Sequence, residues 1–232
     1  MTIGQGDVVS HYEMCQAERR NLQQGMNFRP GGRRSVILMS LRKGAPYADR
    51  IEEGGRVLIY EGHDEPRSAD APDPKTVDQP EYTRHGRLSQ NSQFARAAER
   101  HRDRGDEPEL VHVYEKIKSN IWTFNGVFRL VDAWKEPSGK RQVFKFKLEL
   151  VDDPNADLRD SSQDLDHNRV IPSEVKLAVW KRDAGRCVTC GSTDNLHFDH
   201  VVPFAKGGSS LVAENIQLLC ARHNLSKSDR IE

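Results

Sequence analysis

The chain has 232 residues, enough for one large domain or two small ones, each with its own core. Its 35 basic and 35 acidic side chains cancel, which argues against a generic, uniformly basic nucleic-acid binder. No apolar run approaches the roughly 18 residues that a membrane span needs, so no membrane partner is expected.

The charge is segregated. Seven bases and no acid fall between Arg19 and Lys43, whereas six aspartates against one arginine fall between Asp152 and Asp166. The opening MTIGQGDVVSHYEM has neither the basic nor the apolar stretch of a signal peptide. Three of the four cysteines cluster with a histidine, so metal ligation in a cytoplasmic protein is expected rather than disulfides. Cys15 stands apart and reads as a buried thiol.

In chain order, 11–24 is polar and compatible with a helix ending at Gly25. Ser35–Ser40 is a short β-branched run between glycines and reads as a buried strand, as does Arg56–Tyr60. Residues 64–80 are rich in Pro, Asp and Ser and read as loop. Ser92–His101 suits a helix with Phe94, Ala97 and Ala98 on one face and Gly105 beyond its end. Three further strands are expected over 110–114, 122–131 and 143–150. In the last, Phe144, Phe146, Leu148 and Leu150 share one face, and Pro137-Ser-Gly139 forms the preceding hairpin turn. Residues 1–151 therefore read as a strand-rich unit built on a curved sheet or barrel. The aspartate-rich 152–170 reads as a flexible linker. Beyond it, Ser173 caps a helix over 174–184, and 171–232 form a second small unit.

The N-terminal unit carries a segment order with a known counterpart. Val36–Ser40, Tyr47-Ala-Asp49, Tyr60-Glu-Gly62, Asn91 and above all FNGVFRLVDAW over 124–134 resemble the SRA (YDG) domains, with Phe and Asn replacing Tyr and Asp in the signature. The resemblance implies a PUA-like barrel that flips a 5-methylcytosine out of duplex DNA. A flipped base needs flat faces to replace its lost stacking, and polar groups on its Watson–Crick edge. On this resemblance Tyr47 and Tyr60 are the stacking faces, and Asp49 accepts from the cytosine N4 amine. Arg33, Arg34, Arg42 and Lys43 would hold phosphates, and Asn91 and Lys116 would face DNA.

The C-terminal unit pairs Cys187-x2-Cys190 with Cys220-x2-His223, a ligand set for a closed tetrahedral Zn²⁺ site. In so small a unit a site of this kind contributes on the order of 10 kcal/mol to folding. Between the pairs, a strand over 196–202, a glycine loop and a return strand over 216–219 precede a helix from Ala221. This ββα-metal order, with DHVVP, GGSS, ENIQLLCARHN and a following lysine, resembles the HNH nucleases in the variant that ends on asparagine. The resemblance implies that His200 is the general base, that Asp199 and Asn224 hold a catalytic Mg²⁺ or Mn²⁺, and that Asn215 pins the loop carrying His200.

The combined expectation is an α+β protein: an SRA-like unit at 1–151, a linker at 152–170 and an HNH unit at 171–232. It would be an endonuclease that cuts double-stranded DNA near a modified cytosine, as in restriction of foreign DNA. One site per chain cuts one strand, so a double-strand break calls for a homodimer or two binding events. Two alternatives are a non-catalytic methyl-DNA reader with a structural zinc module and an HNH homing or repair nuclease without a base pocket.

Overall fold

The computed structural model describes residues 3–67, 72–151, 170–202 and 207–227. Its mixed α+β architecture agrees with the expected fold class. The linker expected over 152–170 lies, apart from Val170, outside the described residues.

Residues up to 151 build one eight-stranded sheet around a single long strand. That strand, β7 (Ile121–Ser138), pairs antiparallel with β6 (Glu109–Lys118) on one side and β8 (Arg141–Leu150) on the other. Outward from β6 come β3 (Ser35–Met39), running parallel to it, and β2 (Met26–Asn27). Outward from β8 come β5 (Val57–Glu61) and β4 (Arg50–Glu52), while β1 (Val8–Ser10) pairs with the start of β7. The sheet is open among the described residues, with β2 and β4 at its ends, rather than closed into a barrel.

Period-two alternation places Phe144, Phe146, Leu148 and Leu150 of β8 in one core beneath α2 (Gln90–Arg104), whose Phe94, Ala97 and Ala98 pack down on them. Ser89 caps α2 through the Ser92 N–H, and Gly105 at φ 71° ends it. A second core on the sheet joins Val9, Met14, Leu22, Tyr114, Trp122 and Phe124 under α1 (His11–Glu18). α1 is shorter than expected: Arg19 turns left-handed at φ 52°, which lets Leu22 fold back into that core. Cys15 is half-buried, its Sγ accepting from the Leu22 N–H.

Two local expectations are corrected. β7 runs on through Pro137 and Ser138, leaving the hairpin turn to Gly139 and Lys140. The proline is tolerated because β7 pairs only with β8 there, so its missing N–H faces an open edge. In α3 (Ser173–Arg182) Pro172 takes the N-cap position, and the Ser173 hydroxyl caps nothing.

The C-terminal unit consists of α3, the hairpin β9 (Leu196–His200) and β10 (Ile216–Cys220), and α4 (Ala221–Lys227). Ile171, Val175, Val179, Phe198, Ile216 and Leu218 form its core. This unit is docked on the sheet. Gly6 bridges the two, its N–H donating to Phe124 O (2.9 Å) while its carbonyl accepts from the Phe198 N–H (3.1 Å). Asp7 and His197 pair at 2.5 Å, and Lys176 Nζ donates to Glu115 Oε2 (2.7 Å) and Asn125 Oδ1 (2.6 Å), all three buried. Asn125 reaches the seam because it is the extra residue of a β-bulge: Val113 faces Gly126 while Tyr114 faces Phe124.

Candidate active site and nucleic-acid interface

Four thiol and imidazole groups converge where the β10–α4 junction meets the turn after α3. The ligand atoms of Cys187, Cys190, Cys220 and His223 all lie within 4.8 Å of one another. Tetrahedral zinc with ordinary bond lengths requires S···S separations of about 3.8 Å and S···N of about 3.5 Å. The cluster shows 3.8 Å between Cys190 and Cys220 and 3.5 Å and 3.2 Å from His223 Nδ1 to Cys187 and Cys220. Burial acts to raise the Cys187 thiol, but backbone hydrogen bonds from Cys220, Cys190 and Thr189 outweigh it and bring it down to about 6, which favours the thiolate that binds metal. The donor set fits zinc.

β9 carries the next two candidates on opposite faces. His200 is half-buried and its Nε2 shares a hydrogen bond with the buried Ser210 hydroxyl at 2.8 Å. Burial holds its imidazole below the usual histidine value, which favours the neutral form. Asp199 points towards α4, where Lys227, itself buried, sits with its Nζ 2.5 Å from Asp199 Oδ2 and on the His200 carbonyl. Among the described residues the contacts to the Asp199 carboxylate, from Lys227 and Gln217, fall on Oδ2 and none on Oδ1. Asn224 lies on α4, which packs against β9.

Asn215 ties down the chain that follows His200. Its Oδ1 accepts from the Val202 N–H (2.8 Å), and its Nδ2 donates to Val202 O and Ser209 O (both 3.0 Å). Gly208 is required there, since a Cβ would lie 1.8 Å from the Val202 carbonyl oxygen. His200 also lines a cavity of about 180 Å³ in the seam, together with Gln5, Thr123 and Asn125 from the N-terminal unit.

The N-terminal candidates gather less completely. Tyr47 and Asp49 lie on the loop between β3 and β4 and line a cavity of about 280 Å³ with Ser40, His63 and Lys116. A buried polar layer fixes that loop: Lys145 Nζ donates to Glu61 Oε2 (2.9 Å) and Ala48 O (3.3 Å), and the Ala48 N–H donates to Glu61 Oε2 (3.2 Å). Asp49 accepts from the Glu61 N–H at 3.0 Å. Burial, partly countered by backbone hydrogen bonds from Glu61 and Ser40, pushes its carboxyl up to about 7. Tyr60 departs from expectation. It is 1% exposed, does not line the cavity, and spends its hydroxyl on His63 Nε2 (2.8 Å). Asn91 also departs from expectation: it is buried in α2 and clamps His63 from both sides, its Oδ1 accepting from the His63 N–H and its Nδ2 donating to the His63 carbonyl, both at 2.8 Å.

The four basic candidates split. Arg42 and Lys43 stand at the mouth of the Tyr47 cavity, whereas Arg33 and Arg34 lie at the other end of β3, with Arg34 beside His112. Sequence reasoning missed His63, Ser210 and Lys176; Lys227 had a signal, as the lysine three residues after Asn224.

Residues 187–230 match the family HNH endonuclease, so the part of the C-terminal unit that holds β9, β10 and α4 is an HNH domain. No curated protein matches the chain. Among solved structures, the chain is similar to the SUVH5 SRA complex with methylated CHH DNA, at 20% identity over 64% of this chain and 89% of that one, with a TM-score of 0.44. It is likewise similar to the SUVH5 SRA complex with hemi-methylated CG DNA (22% identity, 65% and 94%, TM-score 0.42). The SUVH5 SRA structure bound to fully hydroxymethylated CG DNA gives 20% identity, 65% and 95%, with a TM-score of 0.41.

Proposed function

We propose that this protein is a modification-dependent DNA endonuclease. Its SRA-like N-terminal unit would bind double-stranded DNA and take up a flipped 5-methylcytosine or related base. Its HNH domain would hydrolyse a phosphodiester nearby. The observation that carries the reading is one chain that joins a zinc-type Cys3His frame bearing Asp199, His200 and Asn215 to a sheet with an aromatic, carboxylate-bearing cavity.

The bond-breaking step rests on His200. When Nε2 carries the ring proton and donates it to the Ser210 hydroxyl, Nδ1 is left unprotonated to take a proton from the attacking water. The water oxygen bonds to phosphorus as the bond to the 3′ oxygen breaks, and that oxygen takes up a proton from solvent, giving 5′-phosphate and 3′-hydroxyl ends. Asn215 keeps the backbone after His200 in place. Asp199 and Asn224 would hold a Mg²⁺ or Mn²⁺ ion, which would supply charge neutralisation at the phosphate and the departing oxygen. Cys187, Cys190, Cys220 and His223 would hold zinc as a frame, apart from the chemistry.

Recognition would fall to the loop carrying Tyr47 and Asp49. A carboxylate accepts from the cytosine N4 amine and not from thymine O4. Arg42 and Lys43 at the cavity mouth, and Arg33 and Arg34 beyond it, would meet phosphates. Each chain has one such nuclease site and cuts one strand, so a double-strand break takes a homodimer or two binding events. A nuclease of this kind suits cytoplasmic restriction of foreign modified DNA, and no described helix is long and apolar enough to cross a membrane.

The test compares unmodified, 5-methylcytosine and 5-hydroxymethylcytosine plasmids in Mg²⁺ or Mn²⁺, with wild type and His200→Ala. Cutting restricted to modified plasmids and lost in His200→Ala is the expected result. Equal cutting of all three substrates would sink the modification dependence. Undiminished cutting by His200→Ala would sink the catalytic assignment.

A further inference from the structure

The wall of the base cavity opposite Tyr47 is His63, two residues past the end of β5. The two rings lie parallel, 7° apart in tilt with centroids 5.0 Å apart. No other aromatic ring lines that cavity among the described residues. Tyr60, one strand position from the end of β5, sits behind His63 at a 41° tilt and touches it through its hydroxyl.

His63 is held by Asn91, Gly25 and Tyr60, and it also borders a second cavity of about 590 Å³ beside Gln24 and Arg84. Asn91 fixes its backbone at both the N–H and the carbonyl. Gly25 presses on the ring edge: a Cβ at Gly25 would stand 2.5 Å from His63 Cε1 and Nε2 and 2.9 Å from the Tyr60 hydroxyl. Burial pulls its imidazole down to about 4, so the ring is neutral at pH 7. Tyr47 is half-buried between the exposed Pro46 and Ala48, with Lys75 Nζ 4.4 Å from its ring centroid. With their centroids 5.0 Å apart the two rings touch, so a flat ligand enters between them by parting Tyr47 from His63.

We infer that His63 is the fixed stacking wall of the base pocket, with the modified cytosine entering between the parallel rings of His63 and Tyr47 and Tyr60 acting through His63 as a positioning residue. The inference rests on the base-flipping reading above and names the residue that sets its preference for a flipped base. A base between two parallel rings trades one ring–ring contact for two base–ring contacts, which suits uptake of an unstacked nucleotide. Asp49 lines the same cavity and would meet the polar edge of that base.

The experiment measures the affinity of the full chain, in a His200→Ala background, for a duplex with one 5-methylcytosine and for its unmodified twin. A 2-aminopurine beside the modified base reports flipping by its fluorescence. Loss of one stacking face costs about 5- to 100-fold in binding. His63→Gln, which keeps the volume and polarity without a ring, is expected to lower the methylated-to-unmodified affinity ratio by about tenfold or more. His63→Phe, which keeps a flat ring but also loses the Tyr60 hydrogen bond, is expected to weaken the ratio about as much as Tyr60→Phe does. Tyr60→Phe, which removes only the hydroxyl that orients His63, is expected to weaken the ratio less than His63→Gln does. A His63→Gln protein that keeps the wild-type ratio and the fluorescence rise overturns the inference while leaving base flipping intact. A wild type with no methylation preference and no fluorescence rise overturns the flipping reading itself.

Discussion

Lys176 Nζ lies 2.7 Å from Glu115 Oε2, with both side chains 2% exposed, one on α3 and the other on the sheet. A buried ion pair of this kind specifies geometry more than it adds stability, because each charge gives up its hydration. Asn125 completes the arrangement, donating from Nδ2 to Glu115 (3.1 Å) and accepting from Lys176 through Oδ1. The C-terminal unit thus has a defined seat on the sheet.

Breaking that seat has a two-part expected outcome. Lys176→Ala leaves Glu115 charged, buried and unpaired, which costs about 3–5 kcal/mol. Thermal unfolding should show the loss, and Lys176→Met combined with Glu115→Gln should recover part of it. Sequencing of cut ends should show a narrow spread of distances from the modified base in wild type and a wider one in the folded double variant. An equally wide spread in both would mean that the seat does not set the cutting distance.

Metal removal should act on the HNH domain first. Its core is small, and the Cys3His cluster ties the turn after α3 to the β10–α4 junction. Cys187→Ser, or a strong chelator, should release about one zinc per chain and forfeit on the order of 10 kcal/mol from that unit. Metal analysis together with circular dichroism checks this. A Cys187→Ser protein that keeps both its helical signal and its cutting would refute the structural role.

The extent to which this molecule can be read from its sequence depends on the range of each interaction. β8 and α2 are legible because their apolar residues recur at periods of two and 3.6, and the cysteine pairs because ligand spacing is local. Tyr60 was misplaced for a physical reason: Val57–Glu61 is buried at every position, so no alternation marks which side chain faces a cavity. His63 and Lys176 were invisible because their partners lie 28 and 61 residues away, at Asn91 and Glu115. The bulge that turns Asn125 to the seam is written in Asn125-Gly126, where Gly126 takes φ 113°, but its destination depends on a helix fifty residues on.

Asn215 should be a positioning residue whose loss spares folding more than turnover. Its three hydrogen bonds fix Val202 and Ser209, which flank the loop between His200 and Ser210. Asn215→Ala frees that loop, and a displacement of about 1 Å at a reacting group costs about 100-fold in rate. Single-turnover cutting should fall by about that factor while the affinity for methylated duplex stays within about threefold. An equal loss in both would point to unfolding instead.

Asp49 should couple recognition to pH and weigh against stability. Burial leads the shift that pushes its carboxyl up to about 7, against about 3.9 in an unfolded chain. The folded state therefore holds the proton more tightly, so this group's stabilising contribution is complete below pH ~4 and is lost as pH rises through ~7. Asp49→Asn should accordingly raise the melting temperature relative to wild type by an amount that grows from pH ~4 and levels off above ~7, at roughly 2–4 °C per kcal/mol. The same substitution removes the charged acceptor for the cytosine N4 amine and should relax the preference for cytosine over thymine by about tenfold at pH 8. Wild type should approach that relaxed preference as the pH falls below ~7 and Asp49 takes up its proton, while Asp49→Asn should show no such pH dependence. Paired melting and binding curves between pH 5 and 8 check both signs, and a wild-type preference that strengthens on acidification would refute the role of the Asp49 carboxylate.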